Sequence, residues 1–253
     1  MNVHTIRDLN TVLKQLHLPT VKSVFSDEAR MAEKESLSYE EYLLVLMEQE
    51  REIRWHNRIN RLLTASRLPL EKNMDSLDRS RLPAMVNRHI DILSDGSFLE
   101  RCENVLAFGN PGSGKTHILC AIGQELVHLG KSVLFTTCSL LVQDLLKAKR
   151  DLELKRMLKK LQKNDVLIID DIGYVQQSRD EMEVLFTLLA DFYERRSLMI
   201  TSNLAFSEWE KIFKDPMTTA AAIDRLVHHS IIIELNVPSY RLEKSAEDHV
   251  EKG

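Results

Sequence analysis

A chain of 253 residues, 43% apolar and 28% charged with a formal charge of -4, is long enough to bury a core in one large domain or two, and has the balance of an ordinary soluble protein. No segment has the uninterrupted apolar length that crosses a bilayer, and the opening MNVHTIRDLN lacks the apolar centre of a signal peptide, so a cytoplasmic protein with no membrane partner is expected. Cys102, Cys120 and Cys138 are irregularly spaced and odd in number, which argues for reduced thiols and against a disulfide framework or a cysteine metal site.

The first hundred residues read as helices without a clear strand. Thr5 followed by Asp8 is a candidate cap for a helix over about 6 to 17, and Ser38 with Glu41 forms a capping box for a longer helix through Tyr42, Leu46, Ile53 and Leu62. Pro69 and Pro83 mark breaks. These signals predict a small helical domain over 1–70 and a connecting helical segment over 71–100. Along the long helix Arg51, Arg54, Arg58 and Arg61 recur at spacings of three and four, which lines them on one side, with Trp55 and His56 between them. Residues 51 to 72 carry a local excess of positive charge in a chain that is acidic overall. Such a stripe suits a nucleic-acid backbone, and it equally suits packing against an acidic face of the same protein.

From residue 104 the texture changes to short apolar strands alternating with helices. The strands are expected at Val105 to Phe108, Ser132 to Thr137, Asp165 to Asp170, Ser197 to Thr201 and Ser230 to Leu235. Strands apolar on both faces belong in a parallel sheet covered on each side, so 101–253 is read as an α/β nucleotide-binding domain. Ligands in that architecture sit beyond the carboxyl ends of the strands, where Gly109, Asp170, Asp171 and Asn203 all fall.

Residues 109–116 read GNPGSGKT, a pattern expected by chance about once in a hundred chains of this length, and here a strand leads into it and a helix leaves it. Gly109, Asn110, Pro111, Gly112, Ser113 and Gly114 would curl the backbone so that N–H groups face phosphate oxygens at the positive end of the helix. Lys115 would reach the β and γ phosphates of ATP, and the Thr116 hydroxyl would be a Mg²⁺ ligand. The run Asp165-Val-Leu-Ile-Ile-Asp-Asp171 supplies the matching acids. Asp170 would orient Mg²⁺, and Asp171 would polarise the attacking water, although an aspartate is one methylene shorter than the usual glutamate. Asn203, at the tip of the next strand, suits holding that water; its alternative is an ordinary turn asparagine.

Arg225, in the helical stretch before the last strand, suits an arginine finger offered to a neighbouring subunit's ATP; its alternative is a surface residue tied to Asp224. Arg195 and Arg196 read as a solvated helix end. A second basic cluster contains Lys147, Lys149, Arg150, Lys155, Arg156, Lys159 and Lys160, on two short helices joined near Asp151. It is either a track for nucleic acid, positioning without reading sequence, or a soluble helix face.

The run GNPGSGKTHILCAIGQELVHLGKSVLFTT, then VLIIDDIGYV, ITSNLAFSEWEKIF and AAAIDRLVHHSIIIEL, with the lead-in REIRWHNRINRLLTASRLP, closely resembles IstB-like helper ATPases of bacterial insertion sequences. That family is of the AAA+ class and related to DnaC-type helicase loaders. The resemblance implies a P-loop NTPase core behind a helical DNA-binding domain, with Asn203 as sensor and Arg225 as a finger acting in trans. It further implies ATP and Mg²⁺ as cofactors and a homo-oligomer with ATP sites at subunit interfaces. Such an oligomer assembles on double-stranded target DNA, deforms it, and recruits and stimulates a cognate transposase. Two departures stand out. Only eighteen residues follow the last strand, so the usual helical lid is expected to be absent or truncated and a second sensor arginine to be missing or replaced by Arg241, and the acidic pair is Asp-Asp instead of Asp-Glu. A helicase loader, with the same core and another partner, and a small-molecule P-loop kinase, which would need an acceptor pocket, are the alternatives. A nucleotide-binding scaffold without turnover would share the same site.

Overall fold

The computed structural model describes residues 3–173, 178–213 and 215–240. The chain divides into two compact units, Met1–Arg61 and Leu62–Gly253.

The first unit is helical. It contains α1 (Val3–Gln15), α2 (Pro19–Glu35) and most of α3 (Tyr39–Ser66). Helix α1 begins before Thr5, so Thr5 lies inside the first turns and caps nothing; the helix ends where His17 turns left-handed. The Ser38 box forms as expected, with Glu41 N–H donating to Ser38 Oγ at 3.2 Å and Ser38 N–H to Glu41 Oε2 at 2.8 Å. A small core of Leu13, Val21, Phe25 and Leu46 joins the helices. Helix α2 has Pro at its first position and Leu18 before it, which offers no side-chain cap. Glu50 of α3 fills that role: its carboxylate accepts the N–H groups of Thr20 at 2.8 Å and Val21 at 3.1 Å.

In the second unit α4 (Ala84–Ser94) precedes β1 (Asn104–Gly109), α5 (Lys115–His128), β2 (Val133–Thr137), α6 (Cys138–Arg150), α7 (Leu154–Leu161), β3 (Val166–Asp170), α8 (Arg179–Phe192), β4 (Ser197–Ser202), α9 (Glu210–Phe213), α10 (Pro216–Val227) and β5 (Ser230–Leu235). The residues read as a connector, 71–100, fold with this unit. The five strands are parallel in the order β2-β3-β4-β1-β5. Alternation along the strands sends Leu106, Leu167, Ile169, Leu198 and Ile200 into a core with α6 to α10. Val105, Ala107, Val166, Ile168 and Met199, also buried, face the opposite side, which α4 and α5 cover. Gly123 of α5 lets that helix close on Ile168, which an added Cβ would meet at 2.9 Å.

Strand β4 lies between β1 and β3, so the phosphate loop and the two aspartates face each other across one intervening strand. Cys102, Cys120 and Cys138 carry free thiols, and burial pushes the Cys120 thiol up to about 12. Among the described residues no helix is long and apolar enough to cross a membrane.

Candidate nucleotide-binding site

The loop from Gly109 to Gly114 turns on three left-handed glycines, Gly109 (φ 148°), Gly112 (φ 80°) and Gly114 (φ 97°). A Cβ at Gly109 would collide with the Leu235 carbonyl of β5, and one at Gly112 with Ser239 Oγ; at Gly114 it would meet nothing within 4 Å. The first two glycines therefore serve close approach, and the third serves backbone conformation alone. Lys115 opens α5, is buried, and donates from Nζ to the carbonyls of Gly109 at 2.8 Å and Asn110 at 2.9 Å. The ammonium is thus held across the mouth of its own loop. Ser113 Oγ is buried without a hydrogen-bond partner among the described residues.

The acidic side of the site is a connected network. Asp170 Oδ1 accepts from Thr116 Oγ1 at 2.8 Å and from Thr201 Oγ1 at 2.7 Å. The same Thr201 hydroxyl accepts the Asp171 N–H at 2.8 Å, and the Thr201 carbonyl accepts the Ile172 N–H at 2.9 Å. Asp171 is exposed and left-handed (φ 65°), a conformation strained for most residues but tolerated by Asp and Asn. Asn203 is half-buried; its Oδ1 is fully buried without a partner among the described residues, beside Gly173. Thr116 and Asp170 are therefore bonded directly, with Asp171 joined to them through Thr201, while Lys115, next to Thr116, is held by the loop carbonyls.

Two walls of the site had no sequence signal. The segment 72–82 and the stretch after β5 enclose, with the loop, a cavity of about 260 Å³ lined by Lys72, Leu77, Arg81, Val237, Pro238 and Tyr240 among others. Tyr240 N–H donates to the Gly112 carbonyl at 3.0 Å, and Arg81 lies over the Tyr240 ring at 5.0 Å. His117 Nε2 sits 3.1 Å from both Asn73 O and Ser76 Oγ, and Gln124 donates to Pro69 O and Lys72 O at 3.2 and 3.0 Å, tying α5 to that wall. Arg241 lies outside the described residues.

Arg225 does not line this cavity. It stands in the last turn of α10, half-buried, donating to Ala221 O at 2.9 Å with its guanidinium 4.9 Å from the Phe186 ring centre. In the first unit Arg51, Arg54, Arg58 and Arg61 are all exposed along α3. Arg54 is nonetheless engaged, donating to Glu50 Oε1 at 2.7 Å and to the His17 carbonyl. Arg51 pairs with Glu48 at 3.7 Å, and Arg58 lies 5.7 Å from the Trp55 ring centre. In the second cluster Lys147, Arg150, Lys155, Arg156, Lys159 and Lys160 are exposed, with Arg156 paired to Glu153 at 2.8 Å. Lys149 differs: it is half-buried and bridges to Asp180 at 3.3 Å and Glu183 at 3.0 Å on α8.

A family model described as IstB-like ATP binding protein matches residues 11–248. The chain is 41% identical over 256 residues to a Sinorhizobium fredii protein named as an insertion sequence ATP-binding protein, covering 100% of this chain and 86% of that one. It is 34% identical to the Pseudomonas aeruginosa protein named for ATP binding in insertion sequence IS21, over 94% of this chain and 90% of the relative. Among solved structures the DnaC helicase loader superposes with a TM-score of 0.56 at 18% identity, over 70% of this chain and 99% of that one. AMPPCP-bound DnaA from Aquifex aeolicus gives 0.54 at 16% identity, over 73% and 56%. These two share the fold. A family match running from the first helix to beyond the segment over the phosphate loop settles the assignment: this chain belongs to the IstB-like ATP-binding proteins, ATPases of the AAA+ class.

Proposed function

We propose that the chain is an ATP-hydrolysing helper of an insertion-sequence transposase, which assembles on double-stranded target DNA, deforms it, and recruits and stimulates the transposase. The observation that carries the shared-site part of this reading is the position of Arg225. The phosphate loop is joined to Asp170 through Thr116, whereas Arg225 bonds to Ala221 instead and stands outside the cavity that the loop lines, on a half-exposed helix end. A second copy that offers its Arg225 completes the site with the positive charge that phosphoryl transfer needs.

Within the site Lys115 exchanges the Gly109 and Asn110 carbonyls for β and γ phosphate oxygens. Thr116 and Asp170 fit a hard divalent cation: both offer oxygen, and their 2.8 Å separation is close to that of adjacent ligands in an octahedron of about 2.1 Å bonds. Bound there, Mg²⁺ would neutralise charge on the triphosphate. Asp171, exposed and aimed by its N–H bond to Thr201, takes the proton of the attacking water, and the buried Asn203 Oδ1 supplies an acceptor that holds this water. The exposed cations of α3, α6 and α7 contact the DNA backbone.

Support for the transposition role comes from the relatives' names and from the family match. The test is Lys115→Ala. ATP-dependent complexes on duplex DNA, read by gel shift and by sedimentation, are expected to vanish; complexes that persist with ATP would refute the assignment. Stimulation of an insertion-sequence transposase, against none of a replicative helicase, separates this role from helicase loading.

A further inference from the structure

At the amino-terminal end of the parallel sheet, away from the phosphate loop at the carboxyl end of β1, two turns meet. One, Tyr193 to Arg196, leads from α8 into β4; the other, His228 and His229, leads from α10 into β5. Glu194, His228 and His229 are all exposed, and one ligand atom from each lies within 4.8 Å of the other two. We propose that these three side chains form a binding site for a divalent transition-metal ion, with Zn²⁺ as its simplest occupant.

The donor chemistry selects the class. Two imidazoles and one carboxylate suit zinc and its neighbours, whereas Mg²⁺ and Ca²⁺ favour sets made of oxygen alone. Three protein donors leave coordination positions open to water or to a group from another molecule.

The scaffold behind the cluster is fixed. Asn104 is buried and donates its N–H to the His229 carbonyl at 2.7 Å. Its side chain accepts Leu198 N–H at 2.9 Å and donates to Leu226 O at 3.2 Å. One residue of β1 therefore anchors β4 and the end of α10, the elements next to the two turns. Tyr193 Oη lies 3.0 Å from His228 Nδ1 and so fixes the orientation of that ring, as outer partners of ligating imidazoles do. The two arginines after Glu194 are drawn elsewhere, Arg195 to Asp191 at 3.3 Å and Arg196 Nε to Gln162 O at 2.9 Å. The Glu194 carboxylate, which also accepts a hydrogen bond from Tyr193, stays within 4.8 Å of a nitrogen of each imidazole.

The full chain is to be titrated with ZnCl₂ by calorimetry in Mg²⁺-containing buffer, and with Co²⁺ followed by its visible absorption. One ion per chain is expected. His228→Ala and His229→Ala should each abolish that binding, and Glu194→Gln and Tyr193→Phe should weaken it about tenfold or more. ATP-analogue affinity in the same samples reports folding, since the phosphate loop lies at the opposite, carboxyl end of the strands. Absence of zinc binding by the unaltered chain, or zinc binding unchanged in the folded His228→Ala/His229→Ala double variant, would overturn the proposal. Loss in the double variant alongside intact nucleotide binding supports it.

Discussion

The Thr201 hydroxyl donates to Asp170 Oδ1 at 2.7 Å and accepts the Asp171 N–H at 2.8 Å, so one side chain on β4 positions both aspartates at the end of β3. Thr201→Val keeps the shape and removes both bonds. ATP turnover is expected to fall about 10- to 100-fold, the usual scale for losing a group that orients a ligating carboxylate. The KM for ATP should move far less, because the phosphate loop is untouched. Thr201→Ser should restore turnover. Steady-state kinetics of the three proteins decide it, and an unaltered kcat in Thr201→Val would show the two bonds to be structural only.

Gly109→Ala and Gly114→Ala separate packing from backbone strain. At 109 the new Cβ meets the β5 backbone, forcing β1 and β5 apart; at 114 it meets open space. Gly114→Ala is expected to cost roughly 1–2 kcal/mol, the penalty of a left-handed non-glycine residue. Gly109→Ala should cost more and lower the Tm further. Thermal denaturation checks the order, and equal losses would contradict the packing assignment.

Glu50 makes the helical unit acid-sensitive. Burial alone would raise its carboxyl pKa, but hydrogen bonds from Arg54, Val21 and Thr20 outweigh it and hold the group below its ordinary value. A depressed folded pKa gives stability that is fully present above the unfolded value, about 4.3, and is lost as pH falls through the folded one. Protection of the α2 amides, measured against their intrinsic exchange rates, should therefore fall below about pH 4. Glu50→Gln should show faster exchange already at neutral pH and lose this acid step.

The stripe on α3 is expected to divide by role. Arg54 ties Glu50 and the end of α1, so Arg54→Gln should lower the Tm. Arg51→Glu with Arg58→Glu should weaken duplex binding with little change in Tm. The slope of log affinity against log salt should become shallower by about 0.9 for each phosphate contact removed. Gel shifts at several salt concentrations measure it; an unchanged slope would move the DNA surface off this helix.

Arg225→Ala should leave ATP-analogue affinity of the isolated chain within about twofold, since Arg225 contacts Ala221 and Phe186 instead of the cavity. Hydrolysis by the DNA-bound assembly is expected to fall on the order of 10³-fold, the scale of a missing arginine finger. Equal loss of binding and turnover would place the arginine in its own chain's site.

The strands were legible because each is an apolar run set off by polar or glycine punctuation, and Asp170 and Gly109 mark where two of them end. The Ser38 box was legible for a similar reason, as two polar groups at fixed spacing. Helix α2 was not set apart, because its cap comes from Glu50, thirty residues away from Thr20. Thr201 escaped notice: a threonine inside a strand carries no pattern that reveals which acids its hydroxyl joins. The cavity wall of 72–82 and 237–240 is likewise built by tertiary approach. Lys149 read as one cation among several, yet the acids of α8 hold it.

Tyr240 fastens the stretch after β5 to the Gly112 carbonyl, with Ser239 against the space beside that glycine. Tension applied along the chain beyond β5 would therefore be transmitted to the bend of the phosphate loop within one peptide unit. Filling of the loop would in turn be felt as slack or strain in that stretch. A fluorophore placed at 240 would therefore act as a strain gauge for the phosphate loop.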